Sequence, residues 1–168
     1  RALPDRVRFA VAQLDVDAPI NLRGRIEIGR NAARIDRLLS NWDLNVVFHG
    51  ASLNCGVPIN DVSGGVLLTG GFDGTKIVSR GEVDVDSLTY QDIQITDVKG
   101  PILLDDQRVL LGAAVEPVRG RQRRSLQGEV FGGRVYGDGQ VALGQEAGFK
   151  LYGWLVQADL ARAAQELV

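Results

Sequence analysis

The sequence predicts a mainly β chain: a curved, mostly antiparallel sheet, U-shaped and groove-like, with two short amphipathic helices. Three observations carry that expectation. Apolar residues recur with a period of two along most of the chain. Clusters of turn-forming residues separate the alternating runs. Glycine makes up 21 of 168 residues, well above the usual ~7%, and it falls inside the runs as well as between them.

The first run spans 6–16. Val7, Phe9 and Val11 alternate, then the phase shifts to Leu14 and Val16, which places a bulge near Ala12 and Gln13. Asp17-Ala18-Pro19 is a turn signal, so an N-terminal hairpin is expected with the next run. There, Ile20, Leu22, Ile26 and Ile28 share one face, opposite Asn21, Arg23, Arg25 and Glu27. Over 31–40 the spacing changes. Ile35, Leu38, Leu39 and Trp42 sit at i, i+3, i+4 and i+7, which predicts a helix capped by Asn31.

Alternation then resumes. Trp42, Leu44, Val46 and Phe48 oppose Asp43, Asn45 and His49. Ile77, Val83 and Val85 oppose Arg80, Glu82, Asp84 and Asp86. Val135, Val141 and Leu143 oppose Arg134, Asp138 and Gln140, and Phe149, Leu151 and Leu155 oppose Lys150, Tyr152 and Trp154. Turns are expected at 70–74, at Asp105-Asp106-Gln107, at Gly132-Gly133 and at 144–148. About ten strands follow, mostly linked as hairpins in an antiparallel meander. Over 159–168, Leu160, Ala163, Ala164 and Leu167 predict a second helix with Asp159 as N-cap. Each helix is expected to lie across the sheet or plug one end of it. Residues 1–168 read as one β-rich domain, a segment of a longer chain, with 1–41 forming the hairpin and first helix.

Composition excludes several classes. One Cys (Cys55) and one His (His49) leave no disulfide framework, multi-Cys zinc site or His cluster. A net charge of −2 gives no basic field for nucleic acid. No apolar run approaches the ~18 residues of a membrane helix. His49 is the only imidazole, on the polar side of a strand, so no Ser/His/Asp or Cys/His arrangement is expected, and no cofactor. Asp15/Asp17, Asp84/Asp86 and Asp105/Asp106 are sequence neighbours and not carboxylates converging from separate elements. Gly137-Asp138-Gly139 lacks the third glycine of a dinucleotide fingerprint. The expected class is non-enzymatic.

The chain also repeats itself. Residues 59–68 (Ile59-Asn60-Asp61-Val62-Ser63-Gly64-Gly65-Val66-Leu67-Leu68) match 95–104 (Ile95-Thr96-Asp97-Val98-Lys99-Gly100-Pro101-Ile102-Leu103-Leu104) at a period of 36. Such a period suggests a stacked hairpin array. Gly24, Gly81, Gly137, Gly139 and Gly153 fall on the apolar face of their runs. They read either as sites of curvature or close approach, or as gaps in a concave face open to a ligand.

The D-V-x-G strand entry and the closing passage together resemble the AsmA/TamB-like envelope proteins, most closely their AsmA-like C-terminal region. The closing passage runs Phe131-Gly132-Gly133-Arg134-Val135-Tyr136-Gly137-Asp138-Gly139-Gln140-Val141-Ala142-Leu143. It continues through Phe149-Lys150-Leu151-Tyr152-Gly153-Trp154-Leu155 to Ala158-Asp159-Leu160. The resemblance covers 42–168, while the N-terminal part matches nothing specific in the family. It implies a β-groove that binds phospholipid acyl chains, within a protein anchored in the inner membrane by a part outside this segment. The implied place is the periplasm, and the implied role is lipid transport to the outer membrane or outer-membrane assembly.

The candidate groove residues are Val83, Val85, Val135, Val141, Leu143, Phe149, Leu151 and Leu155. Arg119, Arg121, Arg123 and Arg124 form the one local charge excess, a candidate contact for anionic headgroups. Other expected partners are the rest of the parent chain or further envelope proteins. A second reading is a structural or adhesive β-repeat module that binds protein or glycan, through Tyr136, Tyr152 and Trp154 on the polar face.

Overall fold

The computed structural model describes residues 15–17, 20–31, 34–54, 58–115, 122–143, 148–159, 161 and 163–164. They are mainly β: ten strands in one antiparallel sheet. In chain order these are β1 (Asp15–Asp17), β2 (Ile20–Asn31), β3 (Arg34–Asn54), β4 (Pro58–Phe72), β5 (Ile77–Tyr90), β6 (Ile93–Asp105), β7 (Arg108–Leu111), β8 (Leu126–Val130), β9 (Gly133–Ala142) and β10 (Gly148–Val156). The centre is the expected meander, with β3, β4, β5 and β6 pairing in sequence. The bulge expected near Ala12 and Gln13 lies outside the described residues.

Two places depart from a simple meander. β1 and β2 both pair antiparallel with β3, through Asp17↔Ser52 and Ile20↔Phe48, on the edge away from β4. They run one after the other in the same direction, so the expected N-terminal hairpin is replaced by an interrupted edge strand. β3, at 21 residues, is long enough to accept both. Likewise β7 and β8 follow one another between β6 and β9, pairing with both. β7 and β8 thus share what is otherwise one strand position. A 3₁₀ turn, Gly112–Ala114, follows β7.

The helix expected over 31–40 is not formed. Asn31 ends β2 and residues 34–40 belong to β3, where Leu38, Leu39 and Ser40 pair with Arg30, Gly29 and Ile28. Local propensity favours a helix, but an isolated helix shorter than ~12–15 residues is marginal. The whole length of β2 offers a ladder instead. The second helix begins as expected. Asp159 Oδ1 accepts the Ala161 N–H, and its carbonyl accepts the Ala163 N–H. The later residues of that stretch lie outside the described set.

The 36-residue repeat is realised in the backbone. Asp61 and Asp97 occupy the left-handed region at φ 52° and 51°, and each inserts an extra residue into its strand. The following Gly64 and Gly100 have φ 123° and 151°. A Cβ on Gly64 would stand 2.6 Å from Val85 Cα and from Asp86 N, so only glycine fits. The structure also reveals a third, imperfect copy two strands earlier. Ile20-Asn21-Leu22-Arg23-Gly24 repeats the pattern without the Asp, and Gly24 again has positive φ. Lacking the Asp, β2 runs along β3 without a register shift from Ile20 to Arg30. The aspartate is therefore the bulge residue.

Hairpins close by two chemistries. Gln91-Asp92 and Phe131-Gly132 each place two successive residues at positive φ, which two-residue hairpins of the primed type require. At the β6–β7 turn, Asp105 Oδ1 accepts the N–H groups of Gln107 and Arg108 at 2.8 and 2.9 Å. Gly70 and Gly71, expected in a turn, lie inside β4, and Asp73 shapes the turn instead.

Register sets the two faces. Across the row Leu22, Val46, Val66 and Val83, opposed residues are apolar. The main core lies on this face: Ala51, Val62, Val83 and Val85, with Phe48, Val66 and Val98 packed against it. A satellite of Leu103, Leu110 and Val115 sits on the other face, Val115 coming from the chain just after β7. Among the described residues, no helix is long and apolar enough to cross a membrane.

Candidate functional site

The apolar face is built by alternation alone. On β9 and β10, Val135↔Leu155, Gly137↔Gly153, Gly139↔Leu151 and Val141↔Phe149 are opposed pairs, and opposed residues project to the same side. Seven of the eight candidate groove residues therefore share one face. Leu143 follows the end of β9, and its N–H bonds the Gln107 carbonyl at 2.7 Å.

Their accessibility divides them. Val83 and Val85 are only 8% and 5% exposed, so they are core. Val135, Val141 and Leu143 are half-buried. Phe149, Leu151 and Leu155 on the edge strand β10 are exposed, Leu151 by 51%. At the opposite edge, Ile20, Leu22, Ile26 and Ile28 of β2 display the same face, and Ile28 is 68% exposed. These four belong with the candidate surface. Their alternation is plain in the sequence, but their place at an edge is a property of strand order.

The in-strand glycines play two roles. A Cβ on Gly24 or Gly81 would meet the backbone carbonyl of Asp43 or Leu67 on the neighbouring strand, so these mark close approach. Gly70 is another such site, since a Cβ there would meet the Val78 carbonyl and Ser79 Cα on β5; in the same cross-strand row, Trp42 donates its indole N–H to Ser79 Oγ at 3.0 Å. Gly137 and Gly153 differ. Added Cβ atoms there would meet only backbone oxygens, at 3.6 and 3.5 Å, among the described residues. Leu126, Gly137 and Gly153 lie in one cross-strand row. The outer half of that row is a bare strip, bordered by Leu151 and Leu155.

The charged candidates sit elsewhere. Arg119 and Arg121 lie outside the described residues, as does Cys55. Arg123 is exposed. Arg124 donates from one guanidinium nitrogen to both Glu82 oxygens, at 2.8 and 3.0 Å. Glu82 alternates with Val83, so this pair lies on the polar face, across the sheet from the apolar strip. His49 is exposed on the polar side of β3. No group of three or more His, Cys, Asp or Glu side chains converges as a metal site among the described residues. Tyr136 and Trp154 oppose each other on the polar face, their rings stacked at 5.6 Å and 14°. Tyr152 lies one pair along, opposite Asp138.

Comparison of the chain with family models, with curated proteins and with solved structures finds no match.

Proposed function

We propose that the chain is a non-enzymatic cell-envelope segment whose apolar sheet face binds phospholipid acyl chains, as its resemblance to the AsmA/TamB-like proteins implies. In this reading it works in the periplasm, held to the inner membrane by a part outside the segment. It passes lipid toward the outer membrane or supports outer-membrane assembly.

One observation carries the reading: the half-exposed Leu151 and Leu155 flank a strip where Gly137 faces Gly153 and no described side chain fills the space. An acyl chain laid there exchanges water for apolar contact at ~0.8 kcal/mol per methylene. No directional bond is needed, so the chemistry is insensitive to headgroup and to chain identity. Arg119, Arg121 and Arg123 remain the candidate headgroup contacts, since Arg124 is engaged by Glu82.

The test is lipid co-purification from a bacterial envelope, quantified by mass spectrometry. Gly153→Leu fills the strip, and Leu151→Glu places a charge beside it. Each is expected to lower bound phospholipid about tenfold, the effect of ~1.4 kcal/mol. Wild-type protein that carries no phospholipid, or variants that carry as much as wild type, contradict the reading.

A further inference from the structure

The polar face holds a second, separate feature. A recess of about 370 Å³ is walled by Glu82, Lys99, Arg124, Gln127, Tyr136 and Trp154. That volume falls within the ~300–1,000 Å³ of small-molecule sites. The sheet builds most of it from one cross-strand row: Asp84↔Lys99, Lys99↔Gln127, Gln127↔Tyr136 and Tyr136↔Trp154 are successive opposed pairs. Residues 122–125, which lead into β8, supply the remaining wall through Arg124. The chain just after β7 also packs on this face, with Val115 against Leu103 and Leu110, and with the Ala113 N–H on Asp138 Oδ1 at 2.6 Å. Segments that join strands beside a recess commonly build binding sites on a rigid sheet.

The wall's chemistry narrows the ligand. Its cations are already paired: Arg124 with Glu82 at 2.8 Å, and Lys99 with Asp84 and Asp97 at 3.5 and 3.6 Å. A phosphate would have to compete with those carboxylates for every donor. A neutral ligand does not. Paired carboxylates and cations, with the Gln127 carboxamide, offer donors and acceptors side by side. A hydroxyl, which both donates and accepts, uses such a wall fully. The other side of the recess is aromatic, and Trp154 is still 46% exposed beyond its stack with Tyr136. A flat π surface beside mixed donors and acceptors suits a ring with one C–H face and a rim of hydroxyls.

We infer that this recess binds a saccharide. One pyranose ring stacks against the Tyr136–Trp154 pair, and its hydroxyls bond with Glu82, Arg124, Lys99 and Gln127. The site lies on the face opposite the acyl strip, so either reading stands or falls without the other.

Two tryptophans make the test direct, because Trp42 lies on the apolar face and Trp154 on the polar one. Indole N–H resonances of ¹⁵N-labelled protein are followed during titration with cellotetraose, maltotetraose, the tetramer of N-acetylglucosamine, and inorganic phosphate. The expected result is a saturable shift of the Trp154 signal with at least one saccharide, an unmoved Trp42 signal, and no response to phosphate. Trp154→Ala and Glu82→Gln are each expected to weaken that saccharide at least tenfold, read for Trp154→Ala from the Gln127 side-chain amide. Trp154→Phe retains most of the affinity, and an unchanged Trp42 signal shows that each variant is folded. No saturable shift with any of the three saccharides at millimolar concentration overturns the inference. So does a response to phosphate without one to saccharide.

Discussion

At the scale of single residues, glycine has three distinct uses in this chain, and only the surroundings separate them. Gly64 and Gly100 accept a backbone conformation that a side chain resists, next to a strand too close for a Cβ. Gly70, like Gly24 and Gly81, sits where the neighbouring backbone comes too close for a Cβ. Gly137 and Gly153 leave space that no described side chain fills. Gly64→Ala is therefore expected to destabilise the fold by about 2 kcal/mol or more, and Gly153→Ala by less than ~0.5 kcal/mol. Urea denaturation measures both; equal, small losses would contradict the bulge geometry. The sequence shows Gly137 and Gly153 on an apolar face, Gly64 and Gly100 in a repeat, and Gly70 with turn chemistry. It does not show what a side chain at each would meet, because that depends on the neighbouring strand.

At the scale of elements, alternation is a sound guide to the long runs among the described residues. Trp42 to Phe48, Ile77 to Val85 and Phe149 to Leu155 all form strands with the expected faces. The failures have physical causes. Over 34–40, helical spacing and good helix formers lost to a ladder with β2, a partner strand that local periodicity cannot reveal. Asp17-Ala18-Pro19 has turn chemistry, yet β3 extends far enough for β1 and β2 to lie in line along it. The Gln91-Asp92 hairpin carries no glycine to mark it in the sequence, yet both residues adopt positive φ. The β2–β3 pairing makes a prediction for NMR. Residues 38–48 should show extended Cα secondary shifts, with cross-strand contacts between Ile26 and Trp42 and between Gly24 and Leu44. Helical shifts over 38–40 would contradict it.

At the scale of the whole molecule, the sheet separates two chemistries. One side is apolar from β2 to β10 and stays exposed at both edges. The other carries the ion pairs, the stacked aromatic pair and the 3₁₀ turn after β7. Which residues share the apolar side was legible, because period two is a property of each strand. Which of them remain open to a ligand was not. Val83 and Val85 became core through packing with Ala51 and Val62, residues distant in sequence. Exposed apolar area of this extent on a sheet calls for an occupant, and the proposal assigns acyl chains to it.

Because neighbours on β10 point to opposite faces, one strand contains its own control. A photoreactive residue is placed in turn at Phe149, Leu151 and Leu155, and at Lys150, Tyr152 and Trp154, with crosslinking in a bacterial envelope. Phospholipid adducts are expected at the first three positions and not at the second three. Equal adducts on both faces, or none at Phe149, Leu151 and Leu155, would contradict an acyl-binding apolar face.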